Sequence, residues 1–452
     1  MNTGGSSGFG KKPVPAAHGV SSAYDPQTYD LAQAEPDTNT LSGTELFGVG
    51  SLQRSRNIFD PTITVSALGL TNPTGTAGQS NLQGETLVGG TLNFSRIWSK
   101  YHFTTAYNGG GILYLNQVPG YNRSNQSYHN LDIAQVVDGA RWHLRLRDDF
   151  VAAPGASFGG AGMGGPGLIG QMPFLSGATL NSIVQGFAPS ETIQTGLAMR
   201  YVNTVLGEVQ YSFSRRSAFV LAGSYGILHF NDAGYVSSHS INGQAGYDYL
   251  LTPKNSVAII ASYAKIDYTG TAISTEDYGA ALAFGRKVTG RLAFQASAGA
   301  QQIHVAATAN GNFQFWTWSV NSALTYERRR SGFSLALSRG LTGGSGVFFG
   351  ATSYTVSGSA HHQFSRFWSG SVNSGYAFNR SLAPVGTPTT SFNTVFAGAN
   401  IGRQIGRHFV VGFNYGLQRQ YNAVVCPVAS CGVTGFQHTF GMTVDWHLRR
   451  VN

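Results

Sequence analysis

Charge is scarce in this chain. Of its 452 residues only 11% are Asp, Glu, Lys or Arg, against about 25% in an average soluble domain. A surface that faces lipid has no use for charge, so the deficit needs no appeal to disorder. Long apolar runs are missing as well. The hydrophobic fraction is 42%, yet the longest uninterrupted runs are short ones such as Val257–Ala261. A membrane helix needs roughly 20 such residues in a row. A helical membrane protein is excluded. Proline is almost absent from one long region: between Ser190 and Ala383 only Pro253 occurs. Proline cannot donate to a β-ladder and is kept out of central strands, so its absence fits a region made of such strands.

What is present is alternation. From Gln194 onward Leu197, Met199, Tyr201, Val205, Val209, Tyr211 and Phe213 share one parity, and Arg200, Thr204, Glu208, Gln210 and Ser212 share the other. Side chains of a strand point to opposite faces with period two, so one face is apolar and the other polar. The run lasts roughly 17 residues, about three times the usual soluble strand. A strand crossing a bilayer needs about 9–11 residues plus what protrudes into water. Lipid on one side and a polar lumen on the other account for both features.

Short basic segments punctuate the alternation: Arg96 to Lys100, Arg215-Arg216, Lys254, Arg286 to Arg291, Arg328 to Arg330, Arg366, and Arg403 to Arg407. From the second onward they are about 35–40 residues apart, room for two strands and one outer loop. Pro253 falls in one of them. With Arg145, Arg147, Arg449 and Arg450 included, most of the 29 Lys and Arg residues gather at such places. Short turns mark the periplasmic end of an outer-membrane barrel and longer loops its outside, and a basic rim suits anionic headgroups. Outer loops are expected at Asn72–Gln83, Gly109–Asn125, Pro154–Pro189, Asn231–Ser237, Thr269–Thr275, Thr308–Asn312, Thr342–Gly346, Leu382–Ser391 and Asn422–Gly432. These hairpins amount to about 18 strands, with 16 the next count, because the stretch before Ser190 is poorly patterned.

In the last strand Phe436, His438, Phe440, Met442, Val444, Trp446 and Leu448 share a face. That pattern resembles the terminal strand which the outer-membrane assembly machinery recognises. Residues 59–450, and Phe59–Leu448 above all, resemble the bacterial outer-membrane β-barrel superfamily, in the style of its large porin-like members. The resemblance implies an all-β, closed antiparallel transmembrane barrel in the bacterial outer membrane. Met1–Ile58, rich in Gly, Ser, Pro, Thr and Asp, is expected to be a disordered or periplasmic extension. Lys11 and Lys12 precede no apolar h-region, so export requires a signal that was removed or lies upstream.

Motifs that could carry chemistry favour bland readings. Cys426 and Cys431 lie in the last outer loop without a neighbouring His cluster; a loop-pinning disulfide is preferred to a metal or redox pair. Gly160-Ala161-Gly162-Met163-Gly164-Gly165 matches a dinucleotide fingerprint as a string, but Pro166 and the surrounding glycines offer no helix after it. Pro154–Pro189 is long enough to suggest function. By count it joins the fifth and sixth strands, the place where the resemblance puts a constriction loop. Gly160 and Gly165 would allow a tight inward course, and Leu168, Ile169, Met172, Phe174 and Leu175 would be poorly placed in free water, so part of the loop is expected inside the mouth. Asp445 and His447 share the lumen parity, yet no serine nucleophile accompanies them. His361 and His362 point to opposite faces and cannot chelate one ion. Trp98, Trp316, Trp318, Tyr326, Phe367 and Trp368 suit the interfacial belts.

Lumen-lining candidates are Arg200, Glu208, Asn242, Gln244, Asp248, Asn321, Asn373, Asn414, Gln418 and Thr443, mostly small and uncharged. A wall of this width leaves an aqueous channel unless something plugs it. The leading expectation is therefore a non-enzymatic channel for passive diffusion of small hydrophilic solutes, with outer-membrane lipid and the assembly machinery as partners. No cofactor and no nucleic-acid partner is expected. A structural or adhesive barrel, or the membrane part of an export assembly, is the alternative; a soluble β-propeller or other all-β repeat protein is the third. A detergent extract should give a β-rich circular-dichroism spectrum and a gel band that shifts on boiling. A helical spectrum, or solubility without detergent, would overturn the barrel.

Overall fold

A strand in lipid must bond to a neighbour on each side, because each orphaned backbone group costs several kcal/mol there. In the computed structural model of the chain, 18 antiparallel strands close on themselves, the first pairing with both the second and the last. The strands are β1 Ile58–Thr71, β2 Leu82–Trp98, β3 Tyr101–Tyr114, β4 Gln126–Asp138, β5 Trp142–Pro154, β6 Met199–Ser212, β7 Ser217–Phe230, β8 Ser238–Thr252 and β9 Asn255–Tyr268. They continue as β10 Ser274–Lys287, β11 Leu292–Ala306, β12 Phe313–Arg328, β13 Ser331–Thr342, β14 Ala351–Gln363, β15 Trp368–Ser381, β16 Ser391–Ile405, β17 Phe409–Asn422 and β18 Gln437–His447. The structure describes residues 58–72, 81–116, 124–154, 193, 198–214, 216–252, 254–289, 291–306, 311–328, 330–382, 389–422 and 435–448. The extension expected over Met1–Ile58 lies outside them, Ile58 apart. Among the described residues no helix is long and apolar enough to cross a membrane.

Residues directly opposite each other in a ladder share a face, so the register sorts every strand. On β6, Arg200, Thr204 and Glu208 face inward and are buried, while Val205 is exposed on the outside. The same alternation around the wall leaves Val65, Leu221, Ile259, Leu282, Leu335, Val372 and Phe413 exposed on the outside. A soluble protein would not expose so continuous an apolar surface; a lipid-facing wall must. Aromatic girdles bound it. Trp98, Trp142, Phe213, Phe367, Phe409 and Trp446 mark the short-turn end, and Tyr278, Trp316 and Trp318 the long-loop end. A soluble repeat protein is ruled out by this closed, apolar-skinned wall.

The first and last strands meet from Thr62 opposite His447 to Leu70 opposite Thr439. Inward side chains pin this seam. Thr64 Oγ1 donates to Asp445 Oδ1 at 2.7 Å, and His447 Nδ1 lies 3.1 Å from Thr62 Oγ1 and 3.5 Å from Asp60 Oδ1. Asp445 and His447 therefore work as closure residues.

Two local departures from expectation have physical causes. Gly109–Gly111 belong to β3, where a loop was expected. The glycines of β2 and β3 make room for an inward ring: a Cβ on Gly89 would sit 2.4 Å from the Tyr128 hydroxyl. Arg145 and Arg147, grouped by sequence with the basic turns, lie within β5 and face the interior. Parity, not proximity to the neighbouring turn, decides their direction.

One ladder is short. The β12–β13 pairing runs from Arg328 opposite Ser331 only to Val320 opposite Arg339, although β12 continues to Phe313 and stays paired with β11 to its end. Arg339 faces outward at the fork, its guanidinium carbon 3.9 Å from the Trp318 ring centroid and 4.8 Å from that of Tyr354. It donates to the Trp318 carbonyl and, at 2.9 Å, to Thr317 Oγ1.

The register makes a sharp prediction at adjacent positions. Val372, 54% exposed, faces lipid between Trp368 and Tyr376, whereas Asn373 lies opposite Ser359 on the inner face. Val372→Arg should destabilise the folded barrel by roughly 2–4 kcal/mol, and Asn373→Arg should be tolerated. Denaturant titration of the detergent-folded variants checks this; equal damage would mean a shifted register.

Candidate functional site

The candidate site is the inner face. All the expected lumen-lining residues occupy inner-facing register positions: Arg200 and Glu208 on β6, Asn242, Gln244 and Asp248 on β8, Asn321 on β12, Asn373 on β15, Asn414 and Gln418 on β17, and Thr443 on β18. They do not form one cluster. The structure divides them among three sectors of different chemistry.

The first sector, on β14–β18 and β1, is bonded around the circumference and largely neutral, its inward carboxylates being Asp60 and Asp445 at the seam. Asn400 Nδ2 donates to Asn414 Oδ1, Asn414 Nδ2 to Thr443 Oγ1 at 3.0 Å, and Thr443 Oγ1 lies 3.0 Å from Ser66 Oγ. Thr394 donates to Gln420 at 3.0 Å, and Gln418 donates to Gln437. Such chains tie neighbouring strands together on the side where the outer face gains only lipid contacts.

The second sector is charged. On β4–β8 the inward residues Asp132, Arg145, Arg147, Asp149, Glu208 and Asp248 form a belt. Arg145 Nη1 approaches Glu208 Oε2 at 3.5 Å; Arg147 Nη2 bonds Asp132 and lies 3.5 Å from Asp149 Oδ2. Arg145, Arg147, Glu208 and Asp248 are all buried. The first three are paired, as buried charges must be to persist, whereas the Asp248 oxygens have no hydrogen-bond partner among the described residues. Sequence reasoning found Glu208 and Asp248 but missed the other members. The signal was present: Arg145, Arg147 and Asp149 alternate with Leu144 and Leu146.

The third sector is apolar. Toward the long-loop end of β1–β7, Leu68, Leu87, Ile112, Tyr128, Val151, Val202, Leu228 and Phe230 pack as one buried cluster on the inner face. Arg200 is fully buried at the same level, opposite Phe230. These strands are apolar on both faces, which is why the region before Ser190 has no clean alternation.

Across the mouth lies the loop between β13 and β14, residues 343–350. Gly344, Ser345 and Gly346 turn with φ of 79°, 54° and 76°, values that favour glycine. A Cβ on Gly346 would meet the Phe230 ring of β7 at 2.2 Å. The Val236 amide donates to the Gly346 carbonyl at 2.8 Å, and Phe349 sets its ring edge-on to Tyr268 of β9 at 5.4 Å. Phe348 packs with Ala351 and Phe392, and with Ile193 from the connection between β5 and β6. The Ile193 amide donates to Ser345 Oγ at 3.4 Å. One short loop thus touches wall residues from β7 round to β16. The sequence gives no hint of this inward course beyond its glycines.

Other expected sites fall elsewhere. Gly160, Gly165, Leu168, Ile169, Met172 and Phe174 of the expected constriction loop lie outside the described residues, as do Cys426 and Cys431. Among the described residues no group of His, Cys, Asp and Glu is placed to hold a metal ion.

No family model matches the chain, and no curated protein matches it. Among solved structures it is similar to Pseudomonas aeruginosa OccK2 (OpdF), at 10% identity over 86% of this chain and 98% of that one, with a TM-score of 0.42. It is similar to Pseudomonas aeruginosa OpdK with vanillate, at 9% identity over 86% and 98% of the two chains, TM-score 0.43. A BenF-like porin from Pseudomonas fluorescens Pf-5 gives 9% identity, the same coverages and a TM-score of 0.43.

The loop at 343–350 leaves the wall between β13 and β14 and meets residues of β7, β9 and β16. Replacing residues 344–349 by a two-residue Asn-Gly turn should raise single-channel conductance while leaving the barrel heat-modifiable on gels. Unchanged conductance would show that the narrowest point lies elsewhere.

Proposed function

We propose that the chain is a channel of the bacterial outer membrane through which small hydrophilic solutes diffuse passively. The observation that carries this is a closed wall of 18 strands whose inner face bears Asn, Gln, Ser and Thr over the sector from β14 to β1. Barrels of this strand number are wide enough for an aqueous path, and small neutral polar groups let hydrated solutes pass with little preference among ions. The charged belt supports the same expectation, because its arginines and carboxylates are largely paired with one another. The role asked of the wall is positional; no step of bond making or breaking is assigned to it.

A second reading has one observation in its favour. Asp60, Arg200, Asp248, Asn379, Thr394 and Gln420 face inward yet are fully buried, as in a barrel with a filled interior. That would suit a structural or adhesive barrel, or the membrane part of an export assembly.

Reconstitution in a planar bilayer separates the two. A diffusion channel gives stepwise, voltage-independent conductance and a reversal potential near zero in a potassium chloride gradient. A filled barrel gives no steps. Arg147→Ala should then shift the reversal potential toward cation preference, because Asp132 and Asp149 lose the guanidinium that neutralises them. An unmoved potential would take the belt out of the permeation path.

A further inference from the structure

The outer wall carries a carboxyl group at a depth where lipid tails should be. Asp148 on β5 takes the outward parity of Leu146 and Phe150, opposite Ile133 on β4 and Val205 on β6. It is six positions along β5 from Trp142 of the short-turn girdle. At about 3.3 Å per residue and a tilt of roughly 40°, that places it about 15 Å into an apolar band some 25 Å tall. Asn203 on β6 also faces outward and donates its Nδ2 to Asp148 Oδ1 at 2.7 Å. Gln135 on β4 faces outward one diagonal step away, opposite Leu146. All three are half-buried. Around them Leu146 and Val205 are exposed, at 50% and 45%.

Outward charges elsewhere on the wall keep to the girdles. Arg96 lies over Trp98, Arg403 over Trp368, Arg339 between Trp318 and Tyr354, and Arg419 over Tyr421. There a side chain reaches water and headgroups. Asp148 reaches neither, and hydrocarbon has no group that can bond a carboxyl.

We propose that the face formed by β4–β6 is buried against a second copy of this chain, with Asp148 and Asn203 at the centre of the contact. Self-complementarity selects the occupant. Asn203 has a second amide N–H and Asp148 a second carboxyl oxygen, so the Asn203 amide of each copy can donate to the partner's Asp148. A two-fold contact of this kind brings residue i onto residue j and j onto i. Every copy inserts with its short turns on the same side of the membrane, so the two-fold axis runs along the membrane normal and contacting residues share one height. Asp148 and Asn203 meet that condition, since they already bond to each other across adjacent strands. Leu146 and Val205 would supply the apolar surround.

The test uses the full chain with Cys426→Ser and Cys431→Ser, reconstituted in vesicles at low protein density. A single Val205→Cys beside the pair is compared with Val356→Cys, outward on the opposite wall. Mild oxidation should link Val205→Cys into a covalent dimer and leave Val356→Cys monomeric. Asp148→Leu with Asn203→Leu should lower the association constant about tenfold or more, roughly the loss of the two symmetry-related hydrogen bonds. The heat-modifiable band should persist in that variant, because leucine suits lipid. Monomers at every density, equal linking at both cysteines, or undiminished dimer in the double variant would each overturn the proposal. None of these readouts depends on whether the barrel conducts.

Discussion

Backbone hydrogen bonding in a medium without water is the constraint from which this structure follows. Every strand needs a neighbour on each side, so the sheet closes, and closure forces an inside and an outside. The outer face then has one requirement, to be apolar between its girdles. The inner face has many solutions, and the chain uses several. Neutral amide and hydroxyl chains line one side, a self-paired charged belt another, and an apolar cluster fills the outer end of β1–β7. The seam where β1 meets β18 shows how the inner face serves closure. Thr62, Thr64 and Ser66 reach His447, Asp445 and Thr443 across it, which adds side-chain bonds to the ladder joining the chain's two ends.

The same asymmetry explains what could be read from the residues. Where one face is apolar and the other polar, as on β6 or β18, parity alone gives the strand, its register and the direction of each side chain. Turns were legible from their basic residues, which fall at or beside the strand ends: Arg96, Arg286, Lys287, Arg328 and Arg403 all pair within the last few positions of their ladders. Legibility failed on β1–β5 for a specific reason. Leu68, Leu87, Ile112 and Val151 point inward, so apolar residues occupy both parities and the alternation vanishes. The charged belt was lost to a different cause. Arg145 and Arg147 stand close in sequence to the turn before β5, and grouping them with the rim ignored that they alternate with Leu144 and Leu146.

The inward loop at 343–350 could not have been found from pattern. What decides its course is the fit of Gly346 against Phe230, the hydrogen bond from Val236, and the packing of Phe348 with Phe392 and Ile193. These partners come from β7, the β7–β8 connection, β16 and the β5–β6 connection, all far away in sequence. Left-handed turns at Gly344 and Gly346 make the course possible, but glycines are common throughout this chain and carry little information singly. The sequence pointed to Pro154–Pro189 as the element inside the mouth, a segment that lies, Pro154 apart, outside the described residues. Ile193, further along the β5–β6 connection, meets the β13–β14 loop, so the two connections share one apolar contact.

That loop also accounts for the one irregular ladder in the wall. For residues 343–350 to reach the interior, β13 must leave its neighbour early, and it does so beyond Arg339. The departure frees the edge of β12 from Ser319 to Phe313 at the level of the outer girdle, where an open edge meets headgroups and water instead of hydrocarbon. Arg339 stands at the last paired position and does what the missing ladder would have done. Its guanidinium bonds the Trp318 carbonyl and the Thr317 hydroxyl, while its planar faces stack on Trp318 and Tyr354. Five rigid donors on a delocalised cation suit that double duty, and a lysine in its place would lose both the fork and the stacking. The cost of bringing a loop into the mouth is thus met by one arginine at the height where the membrane can tolerate its charge.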